Sequence, residues 1–160
     1  MNKKTEFLRI AAMLNRSFGV SPLLYGSLGL EQRLCADLEA DDIDILIPEA
    51  VLGGKWNALI LAMEQMGYRL CDAHEHAFEK QDISAAFASI ENLEPFAGVN
   101  VGAIPAVEEE GTRYRLLTLT DYLKVYAASS RDGYRKNVKN KQDSQKIRLI
   151  QQAVDAQSQK

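Results

Sequence analysis

The segment Asp42-Ile43-Asp44-Ile45-Leu46-Ile47 constrains this chain more than any other. Side chains on an extended strand alternate between faces. Ile43, Ile45 and Ile47 therefore define a buried face, and Asp42 and Asp44 share the opposite one. Two neighbouring carboxylates on one rigid face repel each other unless cations lie between them. Hard divalent ions with oxygen ligands meet that need, Mg²⁺ especially where phosphates share the coordination. Upstream, Tyr25-Gly26-Ser27 reads as a glycine-serine turn. Such a turn can offer backbone N–H groups and a hydroxyl to a phosphate. The two segments together point to metal-dependent chemistry on a nucleoside triphosphate.

The rest of the chain supplies a scaffold for that strand. Residues 4–17 carry an apolar stripe of Phe7, Ile10, Ala11 and Leu14, and Gly19 ends this helix. Pro22 opens a short strand, Leu23-Leu24-Tyr25, and a helix over Leu28 to Leu34 follows the turn. Ala36 to Asp41 is an acidic loop. Pro48 starts a helix that reaches about Met66, is interrupted or delayed by Gly53-Gly54, and is capped by Gly67. His74 to Lys80 and Ile83 to Ile90 are strand candidates separated by Gln81-Asp82, a hairpin length. Val99 to Ile104 and Tyr114 to Leu117 add two more. Thr118 or Thr120 can cap a helix through about Ala128, broken at Ser129 to Gly133, and a last helix runs from about Arg135 to Ala156. The expected class is α+β: a mixed β-sheet with flanking helices and a helical C-terminal part. A length of 160 residues suits a single domain, with an α/β core over 1–117 and a helical segment over 118–160 packed on it.

Composition narrows the classes. Hydrophobic residues make up 46% and charged residues 26%, which is ordinary for a soluble globular protein. No run approaches the ~20 apolar residues of a membrane span. Thr5-Glu6-Phe7-Leu8-Arg9 interrupts what could otherwise begin as a signal peptide. Cys35 and Cys71 form no metal-ligand spacing and read as free thiols of a reducing cytoplasm. The net charge of −3 does not advertise a nucleic-acid binder, but its distribution is uneven: residues 131–148 carry about +5 and the remainder about −8. An acidic body with a basic late segment suits a site where metals cover carboxylates and cations cover phosphates. A solvated basic helix face has the same composition.

With these residues in hand, the chain resembles the nucleotidyltransferase superfamily, the DNA polymerase beta-like group with its minimal and antibiotic-modifying members. The superfamily pattern is hydrophobic-Gly-Gly/Ser, a spacer, then Asp-hydrophobic-Asp/Glu-hydrophobic. It stands here as Tyr25-Gly26-Ser27, fourteen intervening residues, and Asp42-Ile43-Asp44-Ile45. The late Lys139-Asn140-Lys141-Gln142-Asp143-Ser144-Gln145-Lys146-Ile147 is similar to a Lys/Asp-rich helix of the small members. Asp37-Leu38-Glu39-Ala40 also fits the paired-acid pattern, but no β run follows it, and ligands for a metal need a rigid strand. The resemblance implies Mg²⁺, one or two ions, on Asp42 and Asp44, with Gly26 and Ser27 at the β/γ-phosphates and Lys139 or Lys146 reaching phosphate. It implies transfer of a nucleoside monophosphate to a hydroxyl of a small molecule or protein, with no membrane partner and no dedicated nucleic-acid module. An aminoglycoside- or lincosamide-type acceptor is conceivable. Lys124, Tyr126, Arg131, Tyr134 and Arg135 are candidates for a cationic, aromatic wall.

One departure stands out. Active members of that superfamily usually carry a third carboxylate on the strand beside the paired acids, and the matching strand here, Ile83-Ser84-Ala85-Ala86-Phe87-Ala88-Ser89-Ile90, has none. A two-residue turn at Gln81-Asp82 sets Glu79 opposite Ser84, Ala77 opposite Ala86 and Glu75 opposite Ala88. Glu75 or Glu79 could then fill the space that the small residues leave, and Glu91, just past the strand, is a third candidate. The alternative is a catalytically degenerate protein that binds nucleotide or a protein partner. His74 and His76 share a face, but no third ligand lies nearby in sequence, and zinc usually needs three.

Overall fold

The computed structural model describes residues 2–131 and 140–158, with side chains for all of these except 130–131, 140–144 and 158. Helix α1 (Lys3–Phe18) is capped at its start by the Asn2 carboxamide, which accepts from the Thr5 N–H at 3.0 Å, and ends on left-handed Gly19. Strand β1 (Leu23–Tyr25) leads directly into α2 (Gly26–Leu34). Strand β2 (Ile43–Ile47) is followed by α3 (Glu49–Leu52) and α4 (Trp56–Gln65), and the Gly53-Gly54 pair separates the two helices. Then come β3 (Arg69–Asp72), β4 (Ala77–Lys80), β5 (Ile83–Ser89), α5 (Leu93–Ala97), β6 (Ala106–Glu109), β7 (Thr112–Leu116), α6 (Leu119–Arg131) and α7 (Asn140–Ser158).

The strands form one mixed sheet in the order β3-β4-β5-β2-β1-β7-β6. β2 lies in the middle, antiparallel to β1 and parallel to β5. Its alternation separates the two sides of the sheet. Ile43, Ile45 and Ile47 are fully buried against α1, α3 and α4, in a core that includes Phe7, Ile10, Leu14, Leu59 and Met63. Asp44 and Leu46 point to the other side, where Leu46 joins a second core with Leu30, Leu93, Tyr122, Val125, Tyr126 and Ile150. This second side is covered by α5, α6 and α7, and it is where the sheet is left partly open.

Three local differences from the sequence reading have simple causes. The Val99–Ile104 stretch is a 3₁₀ turn at Val101–Ala103, with the Asn100 side chain accepting from the Gly102 N–H at 3.1 Å, rather than a strand. An Asn side chain that satisfies a nearby N–H competes with a sheet ladder. Edge strands β3 and β6 are short and carry few apolar side chains, so alternation does not mark them. Helix α6 continues through Ser129 and Ser130 to Arg131 instead of breaking at Ser129, and Thr118 caps it by accepting from the Asp121 N–H at 3.1 Å.

Candidate functional site

The open part of the second side is a cleft of about 640 Å³, and the Tyr25-Gly26-Ser27 turn and the Asp42–Ile47 segment meet in it. Tyr25 pairs with Asp44 across the β1–β2 ladder. The chain turns at the next residue. Gly26 has φ +64°, and a Cβ placed there would land on the Asp44 carboxylate, with the Asp44 Cγ at 3.2 Å. Glycine is required twice here, for the left-handed backbone and for the close approach of the turn to the acid. Asp42 sits one residue before β2, at a bend, and it lines the same cleft as Asp44, Gly26 and Ser27. The loop before it is shaped by Glu31, whose carboxylate accepts from the N–H groups of Leu38 (3.1 Å) and Ala40 (2.9 Å). Asp37 and Glu39 lie in that loop outside the cleft, and Asp37 accepts from the Glu39 N–H at 2.8 Å.

Helix α7 contributes Lys146 to the lining of the cleft. The Lys146 ammonium donates to the Ser27 hydroxyl at 2.8 Å and lies 5.4 Å from the centre of the Tyr126 ring. Charge and turn, 119 residues apart in the chain, are thereby joined. Arg33 ties α2 to the end of β7, donating to the carbonyls of Leu117 (2.8 Å) and Leu116 (3.1 Å). Tyr122, one turn before Tyr126 on α6, is fully buried below the cleft. Burial pushes its phenol well above the ordinary value, and among the described residues its hydroxyl has no hydrogen-bond partner.

On the β5 side of the cleft, Ala86 stands beside Asp44 and Ala88 beside Leu46. The expected β4–β5 register holds for Glu79 opposite Ser84 and Ala77 opposite Ala86. It does not extend as a strand to Glu75, because residues 73–76 form a turn. That turn is nevertheless tied to β5: the Phe87 N–H donates to the His76 carbonyl at 3.1 Å, and the His76 ring packs edge-on against Trp56 at 4.8 Å. His74, Glu75 and His76 all line the cleft. Glu79 does not. It is exposed and pairs with Arg69 on β3 at 3.2 Å, because its level of the ladder lies beyond the cleft. Glu91 is also engaged elsewhere, accepting from the Ser89 hydroxyl (2.7 Å) and the Glu49 N–H at the start of α3 (2.8 Å). The Ser89 bond, more than burial, settles its carboxyl below the usual range. Lys124 pairs with Asp121 at 3.9 Å and lies outside the cleft lining, whereas Tyr126 is part of it. Lys139, Tyr134 and Arg135 lie outside the described residues, as does the side chain of Arg131.

Phe96 on α5 is a lining residue that pattern reading passed over. It lies on a helix of five residues, too short to show a period, beside Pro95. Among the described residues no three His, Cys, Asp or Glu side chains are grouped so as to hold a metal ion. The two-carboxylate set of Asp42 and Asp44 fits Mg²⁺ of the kind that completes its shell with water and substrate phosphate, because such a site needs only one or two protein carboxylates.

The chain has the nucleotidyltransferase fold. It superposes on ANT(2″)-Ia in complex with adenylyl-2″-tobramycin with a TM-score of 0.58 at 14% identity, covering 98% of this chain and 92% of that one. The solution structure of the antibiotic-resistance factor ANT(2″)-Ia gives 0.60 at 15%, covering 98% and 88%. An antigenic nucleotidyltransferase-like protein from Paracoccidioides brasiliensis gives 0.62 at 12%, covering 92% and 75%. In sequence the chain is 42% identical over 154 residues to the uncharacterized protein YnaI of Bacillus subtilis (strain 168), spanning 96% of this chain and 99% of that protein. It belongs to the same family as that protein. No family model matches the chain.

Proposed function

We propose that this chain is a Mg²⁺-dependent nucleotidyltransferase that moves a nucleoside monophosphate from a nucleoside triphosphate to a hydroxyl of a small molecule or protein. The observation that carries the reading is the contact of Gly26 with Asp44 beside a Ser27 hydroxyl held by Lys146. One cleft thus holds a paired-acid metal position next to a turn and an ammonium suited to phosphate.

Asp42 and Asp44 would hold the metal, which when bound supplies charge stabilisation to the attacking and leaving oxygens of an in-line displacement. The chain's own residues do the rest. Gly26 and Ser27 seat the β/γ-phosphates, and Lys146 shifts from the serine hydroxyl to phosphate oxygen as the triphosphate enters. Lys139 and Arg131 add positive charge from the basic segment. Glu75, delivered by the β3–β4 turn towards the space over Ala86 and Ala88, takes the proton of the acceptor hydroxyl. Products are pyrophosphate and a phosphodiester. The helical segment 118–160 belongs to the same functional unit as the 1–117 core, because the cleft is lined from both. The adenylyl-tobramycin bound to ANT(2″)-Ia supports a small hydroxylated acceptor. The exposed free thiols of Cys35 and Cys71 support a reducing, cytoplasmic setting. Among the described residues no helix is long and apolar enough to cross a membrane.

A second reading rests on Ala86 and Ala88 standing where relatives carry an acid: a degenerate member that binds nucleotide or a protein partner without turnover. Incubation with Mg²⁺ and α-labelled ATP or GTP separates the two. Pyrophosphate release with label on an acceptor or on the protein supports transfer, and saturable binding without turnover across acceptors supports the degenerate member. Absence of both overturns the nucleotide site altogether.

A further inference from the structure

The hydroxyl of Tyr122 on α6 is fully buried and, among the described residues, has no hydrogen-bond partner. Burial keeps the phenol protonated, so it brings bulk to this place rather than charge. A phenylalanine would fill the same ring space without leaving a buried polar group unpaired, and would be the more stable choice. The hydroxyl is pressed against α2. A Cβ built on Gly29 would land on it and on the Leu24 carbonyl oxygen, so the glycine is what lets the two helices meet through this atom.

That contact lies next to the phosphate end of the cleft. Gly29 is two residues beyond Ser27, in the first turn of α2. On α6 the Tyr122 ring stacks on Tyr126, with 6.1 Å between centroids and 20° between planes. Lys146 lies 5.4 Å from the Tyr126 ring centre and donates to Ser27. The contacts thus run in a ring, from Gly29 through Tyr122, Tyr126 and Lys146 to Ser27 and back along α2. Ile150, one turn after Lys146, is fully buried in the core that holds both tyrosines, so α7 takes its place from α6. Ser27 takes its place from α2. The meeting of ammonium and serine hydroxyl is therefore set where α2 touches α6. We infer that Tyr122 is a positioning residue of the triphosphate site: its hydroxyl is a spacer between α6 and Gly29 that sets the Lys146 ammonium against Ser27. This rests on the phosphate role proposed for Ser27 and Lys146, and goes beyond it by assigning a buried residue that acts through them.

The test is Tyr122→Phe in the full chain, which removes the hydroxyl and keeps the ring stack. It is read by urea unfolding, by the NMR shift of the Lys146 Cε methylene, which the Tyr126 ring current marks, and by calorimetric titration with a non-hydrolysable ATP analogue and Mg²⁺. The urea midpoint should stay or rise, the Lys146 signal should move, and the analogue should bind about three- to tenfold more weakly. A tyrosine with a structural role alone would change stability and leave the other two readings in place. An unmoved Lys146 signal, or an affinity within about twofold of the parent, overturns the inference. So does a lowered midpoint, which would mean that the hydroxyl has a stabilising partner. If the parent chain itself does not bind the analogue, the transferase reading falls, and the Lys146 signal alone decides whether Tyr122 places the ammonium. If the parent binds and Tyr122→Phe leaves signal or affinity untouched, only the positioning role falls.

Discussion

Two carboxylates on opposite sides of the sheet face opposite environments. Glu6 on α1 is 3% exposed, and three donors surround it: Tyr68 at 2.9 Å, Lys80 at 3.0 Å and Arg9 at 3.1 Å. Burial alone would raise its pKa, but these hydrogen bonds, Lys80 first, hold it below the ordinary carboxylate value. The network is closed, so it fixes α1 against β4 and the start of β3. Asp44 is half-buried at an open cleft of about 640 Å³, beside the exposed Asp42 and against a glycine. On the proposed function, Glu6 holds the fold and Asp44 faces what enters the cleft. The comparison makes a sharp demand. Changes at Glu6 should move stability and spare the site, and changes at Asp44 should do the reverse.

The largest expected effect is on turnover. Asp44→Asn removes a charged oxygen ligand while keeping size, and should lower nucleotidyl transfer by about a thousandfold. The melting temperature should stay within a few degrees, because the residue is not part of either apolar core. Loss of folding in this variant would make Asp44 a structural acid like Glu6 and break the comparison. Gly26→Ala tests the same contact from the other side. The new methyl meets the Asp44 carboxylate and imposes a strained left-handed alanine, costing about 1–3 kcal/mol in chemical denaturation and also abolishing transfer.

Glu6→Ala is next. It leaves Tyr68 and Lys80 without their shared acceptor, an uncompensated change expected to cost about 3 kcal/mol in urea unfolding. Nucleotide affinity should be unaffected. The pH dependence has a definite sign. The folded pKa of Glu6 lies below its unfolded value, so its contribution is fully present above that unfolded value and is lost as pH falls through the folded one. Unfolding measured from pH 7 down to pH 3 should show a shallower acid decline in Glu6→Gln than in the parent chain. An identical decline would mean that Glu6 carries no linked proton.

Much of this was legible before any coordinates. The stripe on α1 and the alternation on β2 each follow one physical period, and every residue assigned to them faces a core: Phe7, Ile10, Ala11, Leu14, Ile43, Ile45 and Ile47 are all fully buried. The hairpin register at Gln81-Asp82 was also readable, since a two-residue turn leaves one pairing. What could not be read were features set by three-dimensional neighbours. Strands β3 and β6 take their identity from the partner they pair with. The path of residues 73–76 depends on the Phe87–His76 backbone bond and on Trp56, which come from other elements. Phe96 enters the cleft because α5 packs on α6, a fact no local pattern contains.

The smallest expected effect sharpens the contrast within one hairpin. Glu75 and Glu79 are four residues apart, and the strand pattern puts them on one face. Only Glu75, in the turn over residues 73–76, lines the cleft, while Glu79 stays level with Ser84 and pairs with Arg69 at an exposed edge. An ion pair exposed on both sides contributes about 0–1 kcal/mol. Glu79→Gln should therefore leave transfer within about twofold of the parent and stability within that range. Glu75→Gln should lower kcat by about a hundredfold or more if it removes the acceptor proton. It should leave binding of the ATP analogue intact. The reverse ranking of the two variants would move the proton acceptor to the hairpin's outer edge and require a different path for that turn. Equal silence of both in an active enzyme would mean that the acceptor hydroxyl loses its proton without a third protein carboxylate.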